Sequence, residues 1–517
     1  MELKPLTELS KVFTDGVERG YIHVVVQHIP AVDRRLAYLK KSAGTPSAPR
    51  RAADPVPVTL LEPIFAKFVD NCQNHQPTVR DNDLVWQLSE KMSSFYPDEL
   101  TRMNAFRQVL RDCGMFGSTK CTTDGHLLSP NGKFVQVIVE GKNEIGSGPP
   151  EPFAEAMLYY RKFIKDSKVE IARLRSVIPC IHITVFGACI GFAGSVFTEK
   201  VQSDVLVPII PLFWHSTDLR MQVMAARTFG ALKIAIEELT KLYSHPIPSL
   251  KPKDPSLGCP YPRSYINSTG HIQEFSYDDT QIPRDRLIFF GETVGDAAGS
   301  KICIKFVRQY SPEAHEFCAS KGHAPKLIAY NPLPGGWNMV IMDALDIDND
   351  CFSQRPGSYR RLSEIAVLDR QPLKEAITSL IRELHDYNDG YVHGDLRDAN
   401  FVVGDNKHFM LLDFDWAGPI QKTHYPMHVN RKDIRRPDGA RDGEKIVAEH
   451  DLDMLNYIFH PEQDVREPAA KRRRISGEES PRPFDSFIIH CITIHCITRS
   501  PICLIPVCFV FHKAIIQ

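Results

Sequence analysis

The sequence lacks both an excess of charge of one sign and a regular cysteine pattern. Its 517 residues carry a formal net charge of −1, so contact with nucleic acid requires a local basic patch rather than a field over the whole molecule. Its 13 cysteines are scattered without Cys-x-x-Cys spacing, which argues against a disulfide scaffold or a zinc ribbon. We therefore expect free thiols in a reducing compartment.

The sequence also lacks a long, uninterrupted apolar run. Its charged start, Met1–Pro5, has no apolar segment of the kind found in signal peptides. The apolar end, 484–517, is interrupted by His495, Arg499 and prolines, whereas a membrane helix needs about twenty mostly apolar residues. Membrane insertion is therefore not expected, and 461–517 is interpreted as a disordered basic tail with an apolar end that contains Cys and His.

Proline-rich segments divide the chain. A length of 517 residues is too great for one hydrophobic core, and 43% hydrophobic residues is ordinary for a globular protein. Segments 31–57 and 246–265 are interpreted as linkers. They delimit a short first unit, 1–30, a middle domain, 58–245, and a third domain, 266–460. The predicted fold class is multidomain, α/β and α+β.

The most informative motif lies between Tyr391 and Asp415. Asn400 comes five residues after Asp395, and Asp413 comes thirteen residues further on. Phosphoryl transfer uses such a set, in which one carboxylate orients a hydroxyl nucleophile while an amide and a second carboxylate hold magnesium against the phosphates of ATP. The open alternative is a His-Gly-Asp turn that only joins a core helix to a hairpin.

The flanking sequence predicts the elements that would present this motif. Apolar residues at helical spacing predict a helix over 373–387 that Gly390 ends. Segments 401–403 and 409–412 then predict a short hairpin. The first Asp and the Asn would therefore lie on a loop after a helix, and the second Asp would follow a strand.

This arrangement resembles the catalytic core of the protein-kinase-like superfamily. The resemblance implies a bilobal domain that binds ATP and Mg²⁺, with Asp395 as the base and with Asn400 and Asp413 as metal ligands. Arg397 falls where such enzymes usually carry a lysine that binds the γ-phosphate, so the charge is kept while the geometry differs. His450–Leu455 resembles the buried helix that anchors the catalytic loop, and little kinase-like sequence follows it, which implies a short C-terminal lobe.

The same resemblance assigns a lysine and its acidic partner upstream. Lys305 alternates with apolar residues and matches the lysine that binds the α- and β-phosphates, although this pattern also suits the exposed side of a strand. The predicted helix that follows offers Glu313, which we prefer over Glu316, as the partner of Lys305.

Other ATP contacts are assigned more loosely. Segment 291–299, with Gly291 and Gly295, is assigned to cover the phosphates, although it lacks the Gly-x-Gly-x-x-Gly spacing. Met342 lies in a segment that fits the hinge strand contacting adenine.

Two residues depart from the pattern of regulated protein kinases. Gly394 stands where those enzymes carry arginine, so control of an activation loop by phosphate–arginine pairing is not expected. The metal motif reads Asp-Phe-Asp, and its last residue, Asp415, either adds a carboxylate to the metal site or rigidifies the loop. Because small-molecule kinases share His-Gly-Asp, both protein and small-molecule acceptors stay open.

The middle domain carries a second set of candidates. Residues 133–142 predict an apolar strand that ends in Glu140 and Lys142, and Asp124 lies sixteen residues before the glutamate. Glu155, in a predicted helix, is a further candidate. Two acids and a base at a strand end suit metal-dependent hydrolysis of a phosphodiester. The alternative is a surface ion pair on the strand and a simple turn at the aspartate.

This second set resembles the PD-(D/E)xK nuclease core. The resemblance implies an α/β/α fold, Mg²⁺ ligation by Asp124 and Glu140, activation of water by Lys142, and DNA as a partner. An inactive nuclease fold that binds DNA or protein is the alternative. Segment Tyr21–Gln27 resembles the end of the ubiquitin-like N-terminal domain of Crinkler proteins, and fungal Crinkler-related proteins join such nuclease-like and kinase-like modules.

A basic cluster lies near the C-terminus. Lys471, Arg472, Arg473 and Arg474 are consecutive and suit the acidic grooves of a nuclear import receptor, although a solvated charge run would look the same. A nuclear or cytoplasmic location is expected, and secretion without a classical signal peptide is compatible with the sequence.

These observations together predict a phosphotransferase that depends on ATP and Mg²⁺, in a Crinkler-like effector or conflict protein. Ser/Thr hydroxyls of proteins are the default acceptors. One alternative is a metal-dependent DNA nuclease with a regulatory kinase-like domain. The other is a catalytically inactive nuclear binding protein.

Overall fold

The computed structural model describes part of the chain, namely residues 35–36, 56–113, 125–146, 151–166, 168–251, 254, 256–278, 287–295, 299–348 and 357–460. The predictions for 1–30, for most of the 31–57 linker, for Asp124 and for the 461–517 tail therefore lie outside the described residues. All described residues belong to one compact unit.

The elements of the first half follow one another as α1 (Val58–Leu61), α2 (Pro63–Asn74), α3 (Val79–Met92), α4 (Glu99–Asp112), β1 (His126–Leu128), β2 (Val135–Lys142), α5 (Pro152–Asp166), α6 (Lys168–Ala172), β3 (Cys180–Phe186), β4 (Cys189–Phe197), β5 (Val201–Pro211) and α7 (Leu219–Ser244). Side chains cap several helix starts. Thr78 and Asp81 form a capping box at α3, and Asp98 and Asp218 accept backbone N–H groups at α4 and α7. Such caps satisfy amide groups that a helix leaves unpaired at its first turn.

The strands of this half form one sheet in the order β1-β2-β3-β4-β5. Strands β2 and β3 are parallel, and the neighbouring pairs are antiparallel. On β4, Phe192 packs against Phe229 of α7 with ring centroids 6.0 Å apart. On the opposite face of the sheet, His182 of β3 packs edge-on to Tyr160 of α5. The sheet therefore has helices on both faces.

The elements of the second half are β6 (Ser264–Ile266), β7 (Ile272–Tyr277), β8 (Ile288–Thr293), β9 (Lys301–Val307), α8 (Pro312–Ser320), β10 (Leu327–Leu333), β11 (Trp337–Asp343), β12 (Arg360–Arg361), α9 (Val367–Arg370), α10 (Lys374–Asp386), β13 (Tyr391–Val392), β14 (Phe401–Val403), β15 (Phe409–Leu411), β16 (Gly418–Pro419) and α11 (Ala448–Phe459). Strands β6 to β11 form an antiparallel sheet in the order β10-β11-β9-β8-β7-β6. After this sheet the chain forms helices α9 to α11, a small three-stranded sheet in the order β12-β14-β15, and the strand pair β13-β16.

One hydrophobic core continues from the first sheet into the second. It includes buried Phe65 and Phe192 from the first half, and Ile304 and Trp337 from the second. A separate core joins α8, α10 and α11 to β14 and β15. The described chain is thus a mixed α/β structure with several sheets and helices, as the sequence predicts for its coarse fold class.

Hydrogen bonds also join the two halves. The Trp337 indole N–H donates to Thr59 Oγ1 at 3.1 Å, and the Gly335 N–H donates to an Asp70 carboxylate oxygen at 2.7 Å. Part of the predicted 246–265 linker is packed, because Cys259 is buried in the shared core. This segment is also hydrogen-bonded to the first half, because the N–H of Tyr261 donates to the Leu60 carbonyl at 2.7 Å.

Candidate active site

Helix α11 fixes the segment that contains the His-Gly-Asp motif. Asp451 is 1% exposed, and its two carboxylate oxygens accept the backbone N–H groups of His393 and Gly394 at 2.8 and 2.9 Å. His385 of α10 lies 3.1 Å from the same carboxylate. A buried carboxylate with these donors ties the loop to two helices at once.

The backbone at Gly394 explains why this position carries glycine. Its φ is +81°, a conformation that residues with a side chain rarely adopt. A Cβ atom there would lie 2.9 Å from the carbonyl oxygen of Trp416. An arginine at this position, as in regulated protein kinases, would clash with the segment that follows the Asp-Phe-Asp motif.

Asp395 and Asn400 lie together, as the sequence predicts. The Asn400 Nδ2 atom donates to the main-chain carbonyl of Asp395 at 2.9 Å and to its carboxylate Oδ2 at 3.1 Å. Their exposed fractions are 6% and 2%. The Nδ2 group is a donor, so the amide oxygen of Asn400 is the side-chain atom that can ligate a cation.

Two arginines approach the carboxylate of Asp395. The predicted one, Arg397, has its Nε 3.1 Å from Oδ2, although without the angle of a hydrogen bond. The other, Arg436, donates from Nη2 to Oδ1 at 2.6 Å. Sequence reasoning missed Arg436, because it lies 41 residues further along the chain in no recognisable spacing.

Lys305 of β9 reaches the metal motif across a long stretch of chain. Its Nζ donates to Asp413 Oδ1 at 2.6 Å and also to Asp415 Oδ1. Burial lowers the pKa of Lys305, but the charges of Asp415 and Asp413 outweigh this effect and the pKa is raised. For Asp415 burial has the opposite effect and raises the pKa. The negative charge of Asp413 raises it further, although the positive charge of Lys305 opposes both effects.

Glu313 is not the partner of this lysine, contrary to the sequence-based expectation. It lies in the first turn of α8 and is exposed, and its carboxylate accepts a hydrogen bond from Ser311 at 3.3 Å. Glu316, the second choice, is exposed as well. Asp415 takes this role because it lies two residues after Asp413 on the same loop.

Aromatic rings fill the space behind the ion pairs. Phe414 stacks on His315 of α8 with ring centroids 4.7 Å apart and packs edge-on to His393. His315 in turn is hydrogen-bonded to the Tyr310 hydroxyl at 2.8 Å, and burial lowers the pKa of this histidine to about 4. Helix α8 therefore presents the neutral, packed imidazole of His315 to the motif rather than a carboxylate.

A backbone hydrogen bond links Asn400 to the residue before Asp413, the other proposed metal ligand. The N–H of Leu412 donates to the carbonyl of Asn400 at 2.8 Å, which brings Asp413 close to the Asp395–Asn400 pair. Asp413 has φ +71°, an unusual conformation for a residue with a side chain that is often found at functional sites. An amide oxygen and a carboxylate are oxygen ligands of the type that Mg²⁺ prefers, so the residues present fit this ion.

The other residues assigned to ATP lie on or near the second sheet. Gly291 lies within β8 rather than in a loop, and a Cβ atom there would lie 2.3 Å from the carbonyl oxygen of Ser276. This glycine therefore serves strand packing, which corrects its assignment to a phosphate loop. Gly295 lies beyond the end of β8 with φ +89° and open space around it. Met342 lies on β11, next to β9.

The second candidate site lies on β2 of the first sheet. Lys142 Nζ is 3.0 Å from Glu155 and 3.4 Å from Glu99. Burial lowers the pKa of Lys142, but these two glutamates outweigh it and the pKa is raised. Glu140 is 4% exposed. The structure thus brings Glu155 and Lys142 together, and adds Glu99 of α4, which was not among the predicted site residues.

Glu140 borders a small cavity. The cavity has a volume of about 230 Å³ and is lined in part by Gly125, Lys162 and Asp166. Asp124 itself lies outside the described residues. Among the residues that the structure describes, no group of three or more His, Cys, Asp or Glu side chains is arranged to hold a metal ion.

The remaining expectations concern the two ends of the chain. The basic cluster Lys471–Arg474 lies outside the described residues. Within the described ranges, every helix is too short or too polar to cross a membrane.

Comparison with protein-family models and with curated proteins finds no match for this chain.

Proposed function

We propose that this chain is a phosphotransferase of the protein-kinase-like type, which transfers the γ-phosphoryl group of ATP to a hydroxyl. One observation carries the proposal. Lys305, Asp413 and Asp415 meet in one ion-pair cluster. The backbone N–H of Leu412, next to Asp413, is hydrogen-bonded to Asn400, which in turn is hydrogen-bonded to Asp395. The spacing of Asp395, Asn400 and Asp413 suggested phosphoryl transfer, and the kinase-like resemblance assigned Lys305, which lies 108 residues before Asp413.

Each residue has a role that follows from its contacts. Asp395, within reach of an acceptor hydroxyl, orients it and accepts its proton. Lys305 and Arg397 supply positive charge to the phosphate oxygens. Mg²⁺, held by the Asn400 amide oxygen and by Asp413, would neutralise charge on the phosphates. Asp415 holds Lys305 in place.

The architecture supports a bilobal kinase-like domain. Helix α8 lies between β9, the lysine strand, and β10 of one antiparallel sheet, and helices α10 and α11 come later in the chain, on either side of the His-Gly-Asp loop. Ser/Thr hydroxyls of proteins are the proposed acceptors, and small-molecule hydroxyls are the second choice.

The proposal also extends to the first half of the chain and to its basic cluster. A first sheet with helices on both faces is compatible with a PD-(D/E)xK-like fold, and a Crinkler-like arrangement would unite it with the kinase-like part. Nuclear import through Lys471–Arg474 and contact with DNA through the first half belong to the same proposal.

The test is transfer of radiolabelled phosphate from Mg-ATP to the protein itself or to a generic acceptor. The wild-type chain is expected to transfer label, and Asp395→Asn is expected to abolish transfer because the amide cannot accept the proton. Transfer that persists in Asp395→Asn contradicts the assignment of the base.

The same preparations separate the rival functions. Nicking of plasmid DNA that survives Asp395→Asn but disappears in Glu140→Ala would favour the nuclease. A chain that shows neither activity, and whose melting temperature ATP does not change, would be a binding protein.

A further inference from the structure

Arg436 lies against the candidate base in a way that no motif predicts. It belongs to the segment 418–447, which comprises β16 and its connection to α11. It is 7% exposed, and its Nη2 donates to Asp395 Oδ1 at 2.6 Å. A buried guanidinium that pairs with a buried carboxylate is costly unless the geometry is good, so this contact requires an explanation.

The side chain of Arg436 is fixed at two further points. Its guanidinium carbon lies 4.6 Å from the ring centroid of Trp416, the residue that follows the Asp-Phe-Asp motif. Its Nε donates to the carbonyl oxygen of Asn430 at 3.2 Å. Arg436 thus links the His-Gly-Asp loop, the residue after the metal motif and its own segment.

The segment 418–447 is itself firmly held. Arg431 donates to the carbonyl oxygens of Pro437 and Ala440 at 2.7 and 2.6 Å. Asp442 accepts two backbone N–H groups at 2.8 and 2.9 Å. A segment with so many internal bonds suits a fixed support for Arg436 better than a latch that has to open.

Donors hold the Asp395 carboxylate from both sides. Asn400 and Arg397 lie at Oδ2, and Arg436 lies at Oδ1. A carboxylate has about four lone-pair sites, so the two hydrogen bonds from Asn400 and Arg436 fix its rotation and still leave lone pairs for the proton of an acceptor.

We propose that Arg436 is a positioning residue, which sets the orientation of the Asp395 carboxylate for proton transfer from the acceptor hydroxyl. This inference rests on the proposed phosphotransferase function. It adds a residue that acts through Asp395, to which it is hydrogen-bonded, and its expected effect is on proton transfer rather than on the binding of ATP.

The test compares Arg436→Gln and Arg436→Lys with a matched control, Arg435→Gln. Arg435 is the neighbouring arginine, and its guanidinium lies 4.0 Å over the ring of Tyr457. Steady-state phosphotransfer gives kcat and the KM for ATP of each variant. Arg436→Gln is expected to lower kcat about 100-fold, the cost of a misplaced catalytic group, with the KM for ATP unchanged.

The conservative variant and the control sharpen this result. Arg436→Lys should recover part of kcat, because it keeps the charge but loses the planar fork, and Arg435→Gln should behave as wild type. A lysine variant with low kcat at unchanged KM decides in favour of the proposal even if Arg436→Gln does not fold.

Other outcomes overturn the proposal. A wild-type kcat in the folded Arg436 variants removes the positioning role, a raised kcat indicates an inhibitory latch instead, and an equal loss in Arg435→Gln indicates a general effect. If the wild type is active and the Arg436 variants are as active as the wild type, this inference alone is overturned. If the wild type is inactive, the proposed function is overturned as well.

Discussion

At the residue scale, the identity of the partner of Lys305 separates this site from the pattern that the sequence suggested. The lysine is paired with Asp413 and Asp415, while Glu313 is exposed on α8. A shift of α8 would therefore leave the lysine pair intact. The position of the lysine depends on the Asp-Phe-Asp loop, and control through the helix is not expected.

This arrangement predicts different effects of two carboxylate deletions on ATP binding. Hydrogen bonds to charged groups are worth about 1.5–3 kcal/mol, so Asp415→Ala should weaken Mg-ATP binding at least about tenfold. Glu313→Ala, the matched control, should leave the dissociation constant within about twofold of wild type. Calorimetric titration measures both, and a comparable loss in the two variants would restore the helix glutamate as partner.

The sequence was sufficient for some of these residues and not for others. Asp395, Asn400 and Asp413 were predicted because their spacing is local and because each residue type has a chemical role. The contacts of Arg436 and Asp415 were not, because they join atoms 41 and 110 residues apart in the chain. Such contacts depend on tertiary packing, which local patterns do not specify.

At the scale of the elements, periodicity predicted helices and strands near the site well. The helix predicted over 373–387 is α10, Lys374–Asp386, and the predicted hairpin is β14 with β15. Gly291 was misassigned, because glycine suits both a phosphate loop and the close approach of two strands. These two roles of Gly291 are distinguished only by the position of the neighbouring strand, and a local sequence pattern does not specify the register of that strand.

The His-Gly-Asp loop gives a prediction about backbone conformation. Gly394→Ala should destabilise the fold, because strained positive-φ residues cost on the order of 1–3 kcal/mol and the added Cβ would lie 2.9 Å from the Trp416 carbonyl oxygen. Gly443→Ala is the matched control, since its φ is +73° but its surroundings are open.

Thermal unfolding followed by circular dichroism compares these two variants. The larger fall in melting temperature is expected for Gly394→Ala, together with loss of phosphotransfer. Equal falls in the two variants would mean that only the backbone angle matters and that the loop does not approach Trp416 closely.

At the scale of the whole molecule, the two sheets share one hydrophobic core. The strand β9 that carries Lys305 ends beside Arg308, whose guanidinium lies 3.7 Å over the ring of Trp337. The indole N–H of Trp337 in turn donates a hydrogen bond to Thr59 of the first half. The first half therefore supports the sheet that holds the lysine, which the proline-rich composition of 246–265 did not suggest.

This shared core predicts cooperative unfolding. The described parts of the chain should melt in one calorimetric transition, and Trp337→Ala should lower its midpoint, because buried Trp to Ala changes cost about 3–5 kcal/mol. Trp86→Ala is the control, since Trp86 is 58% exposed and should change the midpoint little. Two separate transitions, with only one affected by Trp337→Ala, would show that the halves are independent.

We propose that groups from distant parts of the chain form one site for a magnesium nucleotide. Calorimetric titration of Mg-ATP into wild type, Lys305→Met and Asp413→Ala is the decisive experiment. Saturable binding to wild type, which needs magnesium and is lost in both variants, is the expected result. Equal binding by all three proteins, or no binding by the folded wild type, would contradict it.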